Sequence, residues 1–512
     1  MKTTALRSGA LSSHGGKRGR RQRIPMALSS CAHVCRLRPV FLVIALLCSV
    51  LARAQQPNSI QARLAALHKP NIIFILADDL GYGEVGCYGQ TKIKTPNIDR
   101  LAAEGMRFTQ CYAGTTVCAP SRAALMTGLH TGHTRVRGNA EMPLAPDETT
   151  VAEVLKKAGY RTGAVGKWGL GLQDSPSTPD KRGFDEWIGY LSQTHAHDYY
   201  PTQLWRYSSL EQPVLSALPL DPNLYGNKGL YSHDLFTKAA TNFIRVSQNL
   251  SFFLYLAYTI PHAQNELKDK GMVVPSDAPY SNEDWPQPEK NKAAMITRMD
   301  TDIGLMLQQL KRLKLDTNTV IFFTSDNGPH REGGVKPEFF QSSGPLRGIK
   351  RDMYEGGIRV PMIVRWPARI RRGLVSDQVW AFWDFLPTAA EIAGARPPEK
   401  IDGISFLPTL MGQPQTHQHE FLYWEFHENG SKQATRTGDW KAVRLAPNVP
   451  LELYDLKTDL GEAENVADKN PEVVARIEAY LKTARTESER WPMRTAKDEA
   501  EFNKNNPTRN KD

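Results

Sequence analysis

The 512-residue chain predicts an α/β sandwich with a large, mainly parallel central sheet between helices. Three observations carry that prediction. Short runs that are apolar on both faces recur along the chain, as strands covered by helices on both sides require. Helix-period segments separate those runs. Polar residues collect directly after the strand ends, at the edge where such sheets hold their sites.

The first strand is Asn71-Ile72-Ile73-Phe74-Ile75-Leu76-Ala77, ending at Asp78-Asp79. Thr95-Pro96-Asn97-Ile98-Asp99 opens a helix through Leu101, Ala102 and Ala103. Ser121 to Met126 is helical, and Thr127-Gly128 stops it. Val151 to Ala158 is amphipathic, with Gly159 as its C-terminal stop. Gly163-Ala164-Val165-Gly166 is a short strand that delivers Lys167. Phe252 to Tyr258 is a core strand running to Pro261-His262, and Lys292 to Leu313 is a long helix. Thr319 to Thr324 is a strand ending at Ser325-Asp326-Asn327-Gly328, and Val360 to Arg365 is another. Residues 195–235 and 263–290 lack periodicity and read as long surface insertions of the kind that become binding loops.

The main α/β domain therefore spans 69–410, with a polar boundary at 411–419. A smaller α+β unit over 411–490 follows. Phe421 to Trp424, Trp440 to Val443 and Leu451 to Tyr454 predict a small antiparallel sheet, and Pro471 to Ala484 one helix. From 485 the chain is strongly charged, and 491–512 reads as a frayed tail.

At the other end, Val40 to Leu51 is an apolar run preceded by Arg36 and Arg38 and followed by Ala52-Arg53-Ala54. It is too short to span a bilayer comfortably and reads as a secretory signal with cleavage after Ala54. Residues 1–54 form that leader, and Met26 is an alternative start that gives it a more usual length. The protein is thus expected outside the cytoplasm, periplasmic or extracellular, without stable membrane insertion. The formal charge of +10 resides in this leader, which holds ten basic and no acidic residues. The remaining body balances 54 basic against 54 acidic residues, which removes the case for a nucleic-acid partner. Of six cysteines, Cys31, Cys35 and Cys48 leave with the leader. Cys87, Cys111 and Cys118 remain, an odd number that provides no disulfide framework.

Asp78, Asp79, Asp326 and Asn327 are four hard oxygen ligands at the ends of two strands. If those strands are neighbours, the set suits Ca²⁺, with Mg²⁺ as the alternative, and not zinc. Read without a cation, the first pair is a solvated strand end and the second a turn.

Cys118-Ala119-Pro120-Ser121-Arg122, continued by Leu125-Met126-Thr127-Gly128, resembles the signature of the type I, arylsulfatase-like sulfatases. The resemblance covers most of 69–460. It is supported by Ala77 to Gly83, Thr95 to Asp99, Gly166-Lys167-Trp168, Pro261-His262, Ser325 to Gly328, Gly344 to Lys350 and Gly356 to Pro361. It implies an alkaline-phosphatase-like sandwich and a cysteine oxidised to Cα-formylglycine by a formylglycine-generating enzyme. In that family one hydroxyl of the formylglycine hydrate attacks sulfur, and the other collapses to expel sulfate. The resemblance assigns Arg122, Lys167 and Lys350 to sulfate binding. His262 becomes a histidinium proton donor to the departing alkoxide, and Asp326 a metal ligand that also assists deprotonation.

One departure stands out: Gly166-Lys167-Trp168-Gly169-Leu170-Gly171 lacks the histidine usual at position 169. His195 and His197 are candidates to replace it. The resemblance is nearest to bacterial carbohydrate sulfatases and points to a sulfated, galactose-containing glycan, while the long insertions suit a pocket that takes a chain end. His195, His197, Trp205, His427 and Gln433 are the candidate sugar contacts, the last two on a C-terminal loop over 425–434. A phosphonate monoester hydrolase or phosphodiesterase of the same superfold is the alternative enzyme. A non-catalytic glycan-binding protein is the alternative outside enzymes. The oligomeric state has no sequence signature.

Overall fold

The computed structural model describes residues 69–505. The expected leader, its cleavage point and residues 506–512 lie outside the described residues. Among the described residues no helix is long and apolar enough to cross a membrane.

The central sheet contains β1 (Asn71–Ala77), β2 (Met106–Tyr112), β3 (Arg161–Lys167), β4 (Glu186–Tyr190), β5 (Gln203–Ser208) and β6 (Gln212–Pro219). It is completed by β7 (Phe252–Ala257), β8 (Thr319–Ser325), β9 (Arg359–Arg365), β10 (Leu374–Ser376) and β11 (Trp380–Ala381). The order is β10-β2-β9-β8-β1-β7-β3-β4-β5-β6, with β11 beside β2. The middle run from β8 to β4 is parallel throughout. Strand β9 pairs antiparallel with β8 and β2, and β5 and β6 add antiparallel strands at the other side. The sheet is therefore mixed but mainly parallel, as the apolar runs predict.

Period-two alternation sorts β1 into two apolar layers. Ile72, Phe74 and Leu76 face the helices Cys118–Thr127, Val151–Lys157 and Phe385–Ile392. Ile73, Ile75 and Ala77 face Pro96–Glu104, Ser232–Val246 and Gln287–Arg312. Phe74 anchors the first layer, its ring 4.4 Å from Phe385 and 5.9 Å from Phe322 by centroids.

Several segments differ from their sequence reading, among them the helix Ser232–Val246, which begins inside the expected insertion 195–235. Residues 203–219, taken as insertion, form β5 and β6 and widen the sheet. Strand β6 is an edge strand with much of its length exposed, so it carries no apolar run to betray it. The 491–512 tail is corrected up to 505. Trp491 is only 5% exposed and its indole donates to the Arg135 carbonyl at 2.9 Å, while Ala496–Asn505 is helical.

The small antiparallel sheet is β12 (Leu422–Phe426), β13 (Lys432–Thr437), β14 (Trp440–Arg444) and β15 (Glu452–Asp455), followed by the helix Pro471–Leu481. Trp424, Ala434 and Val443 share an apolar cluster with Tyr112, Val117 and Ala124. A buried ionic knot lies alongside. Lys441 Nζ reaches Glu355 Oε1 at 3.0 Å and Glu462 Oε1 at 3.2 Å, and Glu355 also holds Arg359 at 3.1 Å and the Tyr112 hydroxyl at 2.6 Å.

Phe74→Ala leaves a cavity between β1 and the Phe385 helix. It is expected to lower unfolding free energy by about 3–5 kcal/mol. Chemical denaturation followed by tryptophan fluorescence measures this as a lower midpoint at unchanged slope.

Candidate active site

Strands β1 and β8 pair in parallel with Ala77 opposite Ser325. That register sets Asp78-Asp79 beside Asp326-Asn327 at the carboxyl edge. Asp79 adopts a left-handed backbone, φ 66°, and its N–H donates to Asp326 Oδ1 at 3.1 Å. Asn327 Nδ2 donates to Asp79 Oδ1 at 2.7 Å.

The helix Cys118–Thr127 starts at the cysteine, and every residue of it is buried. Cys118 Sγ lies 3.3 Å from Asp78 Oδ1. Arg122 stands four residues on, on the same helix face. Its Nε and Nη2 reach Asp326 Oδ2 at 3.1 and 2.8 Å, and Nη1 donates to the Lys167 carbonyl at 3.0 Å. Lys167, at the end of β3, puts Nζ 2.9 Å from Asp78 Oδ2. Lys350 puts its own Nζ 2.8 Å from Asp79 Oδ2 and 3.1 Å from His262 Nε2. His262 follows β7, and its Nδ1 donates to the Ala263 carbonyl at 2.6 Å.

Three buried carboxylates thus face three buried cations. Burial alone would raise Asp78 and Asp79, but Lys167 and Arg122 hold the first, and Lys350 the second, well below the usual carboxylate range. Asp326 is pushed up to about 7 by burial and by the Asp78 charge, in spite of Arg122. Burial and the Asp326 and Asp78 charges push the Cys118 thiol up, so it stays protonated and is no thiolate nucleophile. Burial and the Lys350 ammonium push His262 down. With no anion bound, that balance favours the neutral imidazole.

Ligand atoms of Asp78, Asp79, Cys118 and His262 lie within 4.8 Å of one another, a cluster able to hold a metal ion. Asn327 Oδ1 is buried beside Asp79 without a partner. An orphaned amide oxygen and a carboxylate carrying too little neighbouring positive charge both fit a hard divalent cation.

Among the described residues two further groups of histidines and carboxylates lie close enough to share an ion, and the tautomers of His130 and His330 in them are already committed. His130 Nδ1 accepts the Gly132 N–H at 3.1 Å, leaving its proton on Nε2 toward Asp402, 3.6 Å away. His330 accepts the Glu332 N–H on Nδ1 and donates from Nε2 to the Pro261 carbonyl at 3.0 Å.

The candidate sugar contacts scatter. His197 stacks on His262, with centroids 4.6 Å apart and planes 16° apart, and its Nδ1 meets Glu266 at 3.0 Å. His195 packs edge-on against Tyr190, 5.0 Å away. Trp205 lies on β5 opposite Gly189, against the apolar layer. His427 spends both ring nitrogens on Glu425 and Ser431, each at 3.0 Å. Gln433 is not on a loop: it sits within β13, its Nε2 on the Tyr423 hydroxyl at 2.8 Å.

Neither histidine takes the place left at Gly169, which has φ +70°. A Cβ there would stand 1.9 Å from Gln193 Nε2, so the Gln193 side chain occupies that space. Asn139 also reaches the site without a sequence signal: its Oδ1 accepts the Ala119 N–H at 3.0 Å, next to Cys118. The missing histidine was the one sequence signal that another side chain fills in; Asn139 had none.

Comparison with known proteins agrees with this geometry. A family profile described as Sulfatase matches residues 70–395, and one described as N-sulphoglucosamine sulphohydrolase, C-terminal, matches 349–488. The chain belongs to the sulfatase family, whose members hydrolyse sulfate esters, and its domain is of the formylglycine-dependent kind. It is 31% identical to arylsulfatase A of Bos taurus over 469 residues, covering 81% of this chain and 87% of that protein. It is 29% identical to N-acetylgalactosamine-6-O-sulfatase of Bacteroides thetaiotaomicron over 528 residues, covering 89% and 99%. Among solved structures, Ps i-CgsB in complex with k-i-k-neocarrahexaose is 30% identical with a TM-score of 0.69, covering 85% of this chain and 98% of that one.

The raised Asp326 group sets a pH signature for metal removal. With its folded value near 7 and its unfolded value at the ordinary 3.8, Asp326 contributes stability to the metal-free protein that is lost as pH climbs through that window. The gap in melting temperature between metal-loaded and chelator-treated protein is therefore expected to widen from pH 5 to pH 7, as scanning calorimetry would show.

Proposed function

We propose that this enzyme removes sulfate esters from a carbohydrate, using formylglycine at position 118 and a Ca²⁺ ion held by Asp78, Asp79, Asp326 and Asn327. The observation that carries the reading is the meeting of Cys118 with Asp78, Asp79 and His262 within 4.8 Å, ringed by Arg122, Lys167 and Lys350. A relative named for N-acetylgalactosamine and a neighbour bound to neocarrahexaose support a galactose-containing glycan. Maturation falls to a formylglycine-generating enzyme, and the leader directs the chain out of the cytoplasm.

Formylglycine supplies, as its hydrate, an oxygen nucleophile and a second hydroxyl for sulfate release. The cation supplies positive charge to the sulfate oxygens. The remaining work belongs to side chains of this chain. Arg122, Lys167 and Lys350 bind and orient the anionic group, Arg122 through a planar fork and the lysines as point charges. Asp326, whose charge bears on the side chain at 118, assists its deprotonation, and Asp78 Oδ1 accepts the bond from that side chain at 3.3 Å. Neutral His262 keeps Nδ1–H on the Ala263 carbonyl and turns Nε2 toward the site. An anionic ester beside it favours protonation at Nε2, and that proton then goes to the departing alkoxide. His197, stacked on the imidazole, holds its plane.

Two outcomes are expected. Cys118→Ser made in the same host loses turnover by about a thousandfold or more, while peptide mass spectrometry of the parent shows the thiol replaced by an aldehyde. Full activity in that variant would refute the nucleophile assignment. His262→Ala lowers kcat by roughly 10²–10⁴-fold on a sugar sulfate, whose alkoxide leaves poorly, and by much less on an aryl sulfate. Equal losses on the two would remove the proton-donor role.

A further inference from the structure

Asn139 stands against the first turn of the helix that carries Cys118. Its Oδ1 is fixed on the Ala119 N–H at 3.0 Å, so its Nδ2 group points away from that amide with two donors. The residue is half-buried, and among the described residues no protein acceptor meets Nδ2.

Gln193 shows the opposite polarity. Gln193 is buried, and its Nε2 donates to the Gly169 carbonyl at 3.3 Å, which leaves Oε1 as an acceptor with no protein donor among the described residues. Gly169 lies two residues beyond Lys167, and its missing side chain is what lets the Gln193 amide in. One carboxylate joins the two segments. Glu141, two residues after Asn139, accepts the Gln193 N–H on Oε1 at 2.6 Å.

A neutral donor and a neutral acceptor are thereby held on one frame, between the ends of the Cys118 helix and β3. Full charges already serve the sulfate: Arg122, Lys167 and Lys350 sit on the carboxylates beside it. Uncharged amides of fixed orientation match hydroxyl groups, which both donate and accept.

We propose that Asn139 and Gln193 are a specificity-determining pair that reads ring hydroxyls flanking the sulfated carbon, with Glu141 as their positioning residue. Asn139 Nδ2 donates to one hydroxyl oxygen, and Gln193 Oε1 accepts from a hydroxyl hydrogen. This rests on the carbohydrate reading given above.

The test compares kcat/KM on a sulfated galactose-type oligosaccharide with kcat/KM on para-nitrophenyl sulfate, which has no ring hydroxyl. In Asn139→Ala and in Gln193→Met the sugar-to-aryl ratio is expected to fall by about ten- to a hundredfold, mainly through KM for the sugar. Asn139→Asp keeps an oxygen for the Ala119 N–H but has no donor, so it should show the same fall; it carries the test if the alanine variant fails to fold. A ratio within twofold of the parent in the Gln193 variant and in either Asn139 variant overturns the pair. So does a parental ratio in Asn139→Asp alone. A parent enzyme that cleaves the aryl ester but none of a panel of sulfated sugars overturns the carbohydrate reading and the pair together. A parent active on sugars with unmoved variant ratios overturns the pair only.

Discussion

Everything at the sheet edge depends on one electrostatic constraint: three carboxylates are buried together at the ends of two paired strands. Asp78, Asp79 and Asp326 are at most 1% exposed. Carboxylates stripped of water need opposite charge close by. Arg122, Lys167 and Lys350 answer that need directly, each within 2.9 Å of a carboxylate oxygen. The same cations then stand where an anionic ester must bind. Asp326 still feels too little positive charge, and the orphaned Asn327 oxygen lies beside Asp79. The cluster is therefore balanced for a visiting anion and a divalent ion together.

That balance also governs the protons. An imidazole next to a free carboxylate would ordinarily hold its proton, but His262 shares Asp79 with Lys350 and is buried as well. The ammonium takes the carboxylate and leaves the ring neutral. The thiol at 118 faces two carboxylates and keeps its proton for the complementary reason. A cysteine in this setting is a poor nucleophile, which is the chemical ground for replacing it with an aldehyde hydrate.

Much of this arrangement is legible in the sequence because it rests on strands buried on both faces. The runs at 71–77 and 319–325 announce themselves, and the polar residues that end them fall at the carboxyl edge by necessity. The partly buried strands β2 and β5 and the edge strand β6 carry mixed patterns and escape notice. The sugar-contact candidates scattered for a different reason. A histidine's use depends on which partners arrive from elsewhere: Glu425 and Ser431 claim His427, while His262 receives His197. The bond from Gln193 to Gly169 likewise follows from two loops meeting in space, which no local spacing announces.

The ionic knot around Lys441 has a consequence for how the chain could be divided. Glu355 precedes β9 of the large sheet, yet its counter-charge Lys441 sits on β14 of the small one, and Glu462 follows β15. A chain cut between the sheets would strand Glu355 in an apolar setting with Arg359 as its remaining cation partner and would uncover Tyr112 and Val117. The small sheet is thus no detachable appendage. It is the lid of the large sheet's interior, and the two halves have to be inherited, expressed and engineered as one piece.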